Sequence, residues 1–310
     1  MEEMMRFLNL KQSCRIVLRL SCLVWLVLQS ACTESSLIDV ERTLPAESTL
    51  VKDSWENLQP SWLPSDEAIV YTARPRAEVA DHLPRDRGFL IRKYDLNRRT
   101  ISDLVVDSSG VAYPDVSPDG RVLAFCRDQE ICCLDLTSGV SMQMTDEQGR
   151  EELPRWSPDG RTLAYLSDGR LHLRPAMGGP ATAISAPDSL RAFCWLPDGS
   201  GWLYSARHNG TLALFCLTGE GNGVRRVPSD NLIGDWPVAG APPSAVRAVI
   251  GIQMLFHFGT ALVLTPLEQE EMTWIAIKGR TPAWSADGSR IVYSRDGELV
   301  ANTVFVVLDE

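Results

Sequence analysis

An all-β fold, a six-bladed β-propeller of four-stranded antiparallel blades, is what the sequence of 310 residues predicts, on three observations. A phrase recurs: VSPDGRVLAFC from Val116, WSPDGRTLAYLS from Trp156, WLPDGSGWLYS from Trp195, WSADGSRIVYS from Trp284, and a blurred WLPSDEAIVYT from Trp62. Its anchors Trp62, Val116, Trp156, Trp195 and Trp284 stand 54, 40, 39 and 89 residues apart, and Trp236 in DWPVAGAPPSAVRAVI marks a degenerate copy inside the last gap. The pieces between anchors are strand-sized. Repeats of ~40 residues with four strands each mark propeller blades, whereas helical repeats would space apolar residues by three and four.

Each element follows from residue preferences. Ser117-Pro118-Asp119-Gly120 puts serine first, proline second with φ already set, aspartate third and glycine fourth, the preference of a type I turn. Each such phrase is a hairpin corner, and the tryptophan ahead of it fills the space between blades. The strand after it (RVLAFC, RTLAYLS, RIVYS, AIVYT) is apolar almost throughout, as for a strand covered on both faces by neighbouring blades. Second corners carry Asp-Gly in SDGR from Ser167 and RDGE from Arg295, and Asn-Gly in RHNG from Arg207, the tight-hairpin pairs. Third strands follow as FLIRKYDL, ICCLDL, LHLRP, LALFCL and LVLTPL. Residues 60–310 number 251, about 42 for each of six blades. STLVKDSW from Ser48 is expected to join the last blade as its outer strand, because pairing satisfies an edge that side-chain packing leaves open. In the first blade an insertion, RPRAEVADHLPRDRG at 74–88, replaces the short second corner.

A hydrophobic content of 45% with 23% charged residues fits a well-buried globular body. The formal net charge of -10 argues against nucleic acid as a partner, because phosphate binding needs a basic face. Of eight cysteines, Cys14 and Cys22 precede an expected cleavage point and Cys32 lies at it. The remaining five, Cys126, Cys132, Cys133, Cys194 and Cys216, are odd in number and sit in apolar strand contexts, so they read as small core residues. The C-x-x-C spacing of a zinc site is absent.

PRWSPDGRTLAYLSDG and PAWSADGSRIVYSRDG resemble the repeat of the TolB-type propeller family over roughly residues 60–310. The resemblance implies a binding or scaffolding module of the bacterial cell envelope. Only 27 residues lie between Cys32 and Pro60, too few for the α/β domain that precedes the propeller in that family's periplasmic namesake, so the latter's role beside the Tol and Pal proteins does not transfer whole. The repeat also resembles the propellers of prolyl oligopeptidases and of lyases that hold a metal with histidines from several blades.

No catalytic residue, cofactor or metal site is expected. The G-x-S-x-G elbow, the phosphate-binding loop, H-E-x-x-H and the EF-hand spacing are all missing. His82, His172, His208 and His257 fall at outer positions of four repeats, and the aspartates of the PDG turns have a structural reason to exist. The candidate binding residues lie where loops enter the innermost strands, on the face propellers commonly use for ligands: Arg155, Arg191, Asp235 and Arg280, with Asp115 at the matching position. The expected partner is an envelope protein or glycan. The rival reading is a polysaccharide lyase or hydrolase working at the channel mouth.

The N-terminus differs in kind. Arg6, Lys11, Arg15 and Arg19 precede LSCLVWLVL at 20–28, which is too short to span a bilayer and suits the apolar region of a signal peptide. LQSAC then resembles a lipobox, although Gln29 departs from its pattern, so residues 1–31 read as a lipoprotein-type signal peptide and Cys32 as the lipidation site. Residues 32–59 are a linker with the closing strand, and 60–310 the propeller. Thr33 is not the aspartate of an inner-membrane retention signal, which points to the periplasm with attachment to the outer membrane. Labelled palmitate is expected to enter the wild-type chain and not Cys32→Ser, which should also lose stable membrane attachment. Equal labelling of the two would refute the lipobox.

Overall fold

A hairpin corner needs a residue that tolerates a left-handed backbone, and the repeated PDG supplies it. Gly120, at φ +74°, donates its N–H to Ser117 O at 2.8 Å, and Ser117 N closes the loop on Val122 O at 2.8 Å. The Ser117 hydroxyl donates to Asp119 Oδ1 (2.6 Å) and accepts from Val122 N (2.9 Å), while Arg121 N donates to the same carboxylate oxygen (3.1 Å). Ser157 with Asp159, and Ser285 with Asp287, repeat the arrangement. Hydrogen bonds from these serines, then from backbone N–H groups, hold the three carboxyls below the usual range. Second corners turn on two left-handed residues at Asp168-Gly169, Asn209-Gly210 and Asp296-Gly297. Asp128-Gln129 does the same at φ 51° and 69°, a corner the sequence hid because it lacks glycine.

The computed structural model describes residues 47–76, 88–108, 110–146, 149–184, 186, 189–218, 223–227, 234–240, 247–253, 260–266 and 277–303, with the backbone course alone given for the strands between 234 and 278. All belong to one compact unit, Val40–Glu310. Cys32, the apolar run at 20–28, the insertion from 77 to 87, His82 and His257 lie outside the described residues.

These residues form an all-β propeller of four-stranded antiparallel blades. After β1 (Ser48–Val51), the first sheet comprises β2 (Trp55–Trp62), β3 (Ala68–Pro75), β4 (Phe89–Asp95) and β5 (Thr100–Asp107). The next is β6 (Val111–Val116), β7 (Val122–Arg127), β8 (Glu130–Asp135) and β9 (Ser141–Gln143), followed by β10 (Glu151–Trp156), β11 (Thr162–Ser167), β12 (Arg170–Pro175) and β13 (Thr182–Ile184). Then come β14 (Leu190–Trp195), β15 (Gly201–His208), β16 (Thr211–Thr218) and β17 (Gly223–Arg226), and β18 (Gly234–Gly240), β19 (Arg247–Gln253), β20 (Thr260–Pro266) and β21 (Ile277–Lys278). The last sheet holds β22 (Arg280–Trp284), β23 (Arg290–Arg295) and β24 (Glu298–Thr303), with β1 paired to β24 as its outer strand. Five of these sheets are described with their side chains. The first strands meet in sequence, β2 with β6, β6 with β10, β10 with β14, β14 with β18, β18 with β22 and β22 with β2, so they surround the axis.

The second strands form the core. Leu163 and Tyr165 pack with Ala124, Ile131 and Cys133 of the preceding blade, whereas Ala164 and Leu166 pack with Phe193 and Tyr204 of the following one. Cys126, Cys132, Cys133, Cys194 and Cys216 form no disulfides and are buried or half-buried, and burial pushes the thiols of Cys126 and Cys133 up to about 12. They pack as core residues.

The seam between the first and last sheets is densely bonded. Besides the β1–β24 ladder, Asn57 N and Nδ2 both donate to Gly297 O (3.0 Å each), Ser294 Oγ donates to Asn57 O (2.6 Å), and Asp66 accepts from Ala286 N and Asp287 N (2.7 and 3.1 Å). The Arg290 guanidinium lies 4.6 Å from the Trp62 ring centre. The outer strand expected from Ser48 is therefore in place, and both β1 and β2 begin ahead of position 60. Val51 is buried there with Tyr71 and Leu299. Val51→Asp should lower unfolding stability by at least about 2 kcal/mol, since it puts a charge in an apolar seam, while Val140→Asp, at a site 64% exposed, should stay within about 0.5 kcal/mol. Denaturant melts of the two variants check this; equal effects would show that the seam does not limit stability.

Candidate functional site

Proline inside a strand forfeits a ladder donor, so a strand that keeps one must bend around it. Four innermost strands do so. Pro60, Pro114, Pro154 and Pro282 each follow a non-glycine residue at positive φ: Gln59 (52°), Tyr113 (57°), Leu153 (58°) and Thr281 (45°). At each place two residues of the innermost strand oppose one of the second strand, a β-bulge. The residue opposed is a large, fully buried aromatic: Tyr71, Phe125, Tyr165 or Tyr293. A left-handed non-glycine residue costs about 1–2 kcal/mol, and this cost recurs at one level of four blades. The proline two positions ahead of Trp62, Val116, Trp156 and Trp284 is the sequence signal for the bulge.

The bulges also redirect backbone donors toward neighbouring blades. Gln59 N donates to Thr281 Oγ1 (3.0 Å), and Tyr113 N donates to Gln59 Oε1 (3.0 Å), which also accepts from Thr72 Oγ1 (2.9 Å). Indole N–H groups add two more links between blades, Trp62 Nε1 to Ala283 O (3.2 Å) and Trp195 Nε1 to Arg155 O (3.1 Å).

Asp115 ties three blades together. Its Oδ2 accepts from Trp156 N (2.8 Å), its Oδ1 accepts from Ser61 Oγ (3.4 Å), and Arg155 Nη1 stands 3.7 Å from Oδ1. Burial raises the Asp115 carboxyl above its ordinary value, against the opposing pull of Arg155 and of the two hydrogen bonds. About a fifth of the side chain remains open (19%), yet the carboxylate is surrounded by protein, so loss of hydration dominates.

The five expected binding residues separate into two groups. Asp115 and Arg155 come together, but each is the penultimate residue of its strand, beside the PDG corner and away from the rim where the innermost strands begin. That corrects their placement at the channel mouth: counting back one residue from the anchor leads to the end of the strand. Arg191 and Arg280 do lie at the starts of β14 and β22, and both are exposed. Arg191 is itself the extra residue of a bulge. Asp235 is second in β18, opposite Gly251. Beside this rim, Arg150 Nη2 pairs with Glu152 Oε2 at 3.1 Å.

The two described histidines lie on outer parts of their blades. His172, on β12, stacks with Tyr165 at 5.5 Å, and His208, at the end of β15, meets Phe215 edge-on at 5.8 Å. Among the described residues no three His, Cys, Asp or Glu side chains gather as a cation site.

No family model and no curated protein matches the chain. Solved propellers do. TolB from Acinetobacter baumannii superposes with a TM-score of 0.58 at 17% identity over 82% of this chain, which spans 56% of that protein. A gluconolactonase from Xanthomonas campestris gives 0.62 at 12% identity, with 83% of this chain and 89% of that one covered. An oligogalacturonate lyase from Vibrio parahaemolyticus gives 0.54 at 12% identity, with 80% and 74% covered. These likenesses establish the fold.

The raised Asp115 carboxyl has a signed consequence. Between the unfolded value, about 3.9, and the higher folded one, the folded protein binds more protons, so this group's contribution to stability declines as pH rises through that window. Asp115→Asn removes the titration. The melting temperature of the variant relative to wild type should therefore rise as pH increases above about 4; a flat or falling difference would contradict the assignment.

Proposed function

We propose that the protein is a non-catalytic six-bladed propeller of the bacterial cell envelope that binds a protein partner, or a glycan, through the rim carrying Arg191, Asp235 and Arg280. The supporting observation is the state of the polar groups at the axis. Gln59, Asp115 and Thr281 accept hydrogen bonds from backbone N–H groups of adjoining blades, so their chemistry goes into holding the ring. A ring held in this way is a rigid platform, and recognition falls to the loops and strand starts at its rim. The sixfold reading is supported by the six sheets and by the closed sequence of contacts among their first strands.

The location proposed is the periplasm, with Cys32 lipidated and the molecule attached to the outer membrane. The signal-like stretch at 20–28 and the LQSAC that follows support it.

The test compares two charge reversals of exposed residues at opposite ends of the ring. The double variant Arg191→Glu, Arg280→Glu should lose a partner that crosslinks to the wild-type protein in envelope extract, while Arg121→Glu, Arg161→Glu should keep it. Loss of capture in both, or turnover of oligogalacturonate or an aldonolactone by the purified protein with or without manganese, would overturn the reading.

A further inference from the structure

The direction of β1 is fixed by its pairing with β24. Ser48 lies opposite Ala301 and Val51 opposite Leu299, while Thr303 at the end of β24 lies opposite Arg290, which follows the SADG corner. Ser48 is thus nearer the PDG corners than Val51 is, while ahead of it the Glu47 carboxylate accepts from Tyr293 Oη and Arg295 Nη1.

Exposed apolar side chains favour the PDG end. Among the described residues the large exposed apolar side chains are Ile101, Val106, Val140, Met142, Met177 and Val224, with Met177 at 99%. Ile101 is linked through Tyr94 to Ile69, just past the first corner. Val140 O accepts from Asp135 N, whose residue pairs with Val122, and Met142 is two positions further along. Met177 follows Pro175, the partner of Thr162, and Val224 is linked through Leu217 to Trp202. Val106 alone, linked through Leu90 to Ala73, is at the opposite rim. The five on the PDG side belong to four successive blades, so they lie along an arc and suit a flat surface better than a pocketed one. Charges there are mixed: the corner aspartates are bonded within their turns and are interleaved with exposed Arg98, Arg121 and Arg161.

We propose that the PDG end of the propeller docks on a lipid bilayer, leaving the Arg191 and Arg280 rim turned toward the aqueous side. The proposal rests on attachment through the N-terminal region. Fourteen residues separate Cys32 from Glu47, a reach of at most about 50 Å, so an anchored chain holds the propeller at high effective concentration beside the membrane. Methionine, valine and isoleucine side chains on that end then partition into the interface, where each alone would bind weakly.

The experiment uses the full chain reconstituted in vesicles of phosphatidylethanolamine with a minority of phosphatidylglycerol. An environment-sensitive fluorophore is placed at Met177→Cys and, as the opposite-end control, at Val106→Cys, whose native side chain is 51% exposed. Quenching by spin-labelled acyl chains should be several-fold stronger at 177 than at 106, and aqueous iodide should show the reverse order. Val140→Asp with Ile101→Asp should weaken the lipid quenching at 177 without moving the melting temperature. Equal quenching at both positions, shielding of 177 from both quenchers by an attached protein, or failure of the chain to float with vesicles overturns the proposal. If the rim variant still captures its partner while 177 reports lipid, the binding reading fails and the docking stands.

Discussion

Leu163, Ala164, Tyr165 and Leu166 lose all contact with water because the two faces of their strand are covered by different blades. Each leucine contributes about 1.5–3 kcal/mol only when the blade on its own face is present, so a blade needs both neighbours and the row of blades must close on itself. That requirement explains the density of bonds at the seam. The β1–β24 ladder, the Asn57–Gly297 pair and the Asp66 carboxylate supply between the first and last blades the coverage that chain continuity helps to supply elsewhere.

Polar chemistry near the axis answers to the same requirement. Innermost strands crowd one another, and the bulges at Gln59, Tyr113, Leu153 and Thr281 turn N–H groups away from their own ladders. In the cases of Gln59 and Tyr113 the acceptor is a side chain of the adjoining blade. Asp115 extends this linkage across three blades at the cost of a carboxylate held against its hydration. The arginine, aspartate, glutamine and tyrosine gathered there are bonded across blades and so form part of the frame.

The two ends of the ring consequently differ in character. The end where the innermost strands begin presents exposed arginines at the axis mouth, whereas the PDG end presents corners whose aspartates are internally bonded and, around its edge, scattered apolar side chains.

Residues adjacent in the chain were enough to determine the repeat, the PDG corners, the doubly covered second strands and the expectation of a closing strand at Ser48, because each depends on turn preference or apolar patterning over a few positions. The Asp128-Gln129 corner is not legible in the sequence because it lacks the glycine that marks the other second corners. Only the tertiary structure decided that Asp115 and Arg155 meet beside the PDG corner while Arg191 and Arg280 lie at the opposite rim. Sequence gives a strand's residues in order, but which end of that strand faces the mouth, and which blade supplies a partner some 40 positions away, depends on how the ring closes.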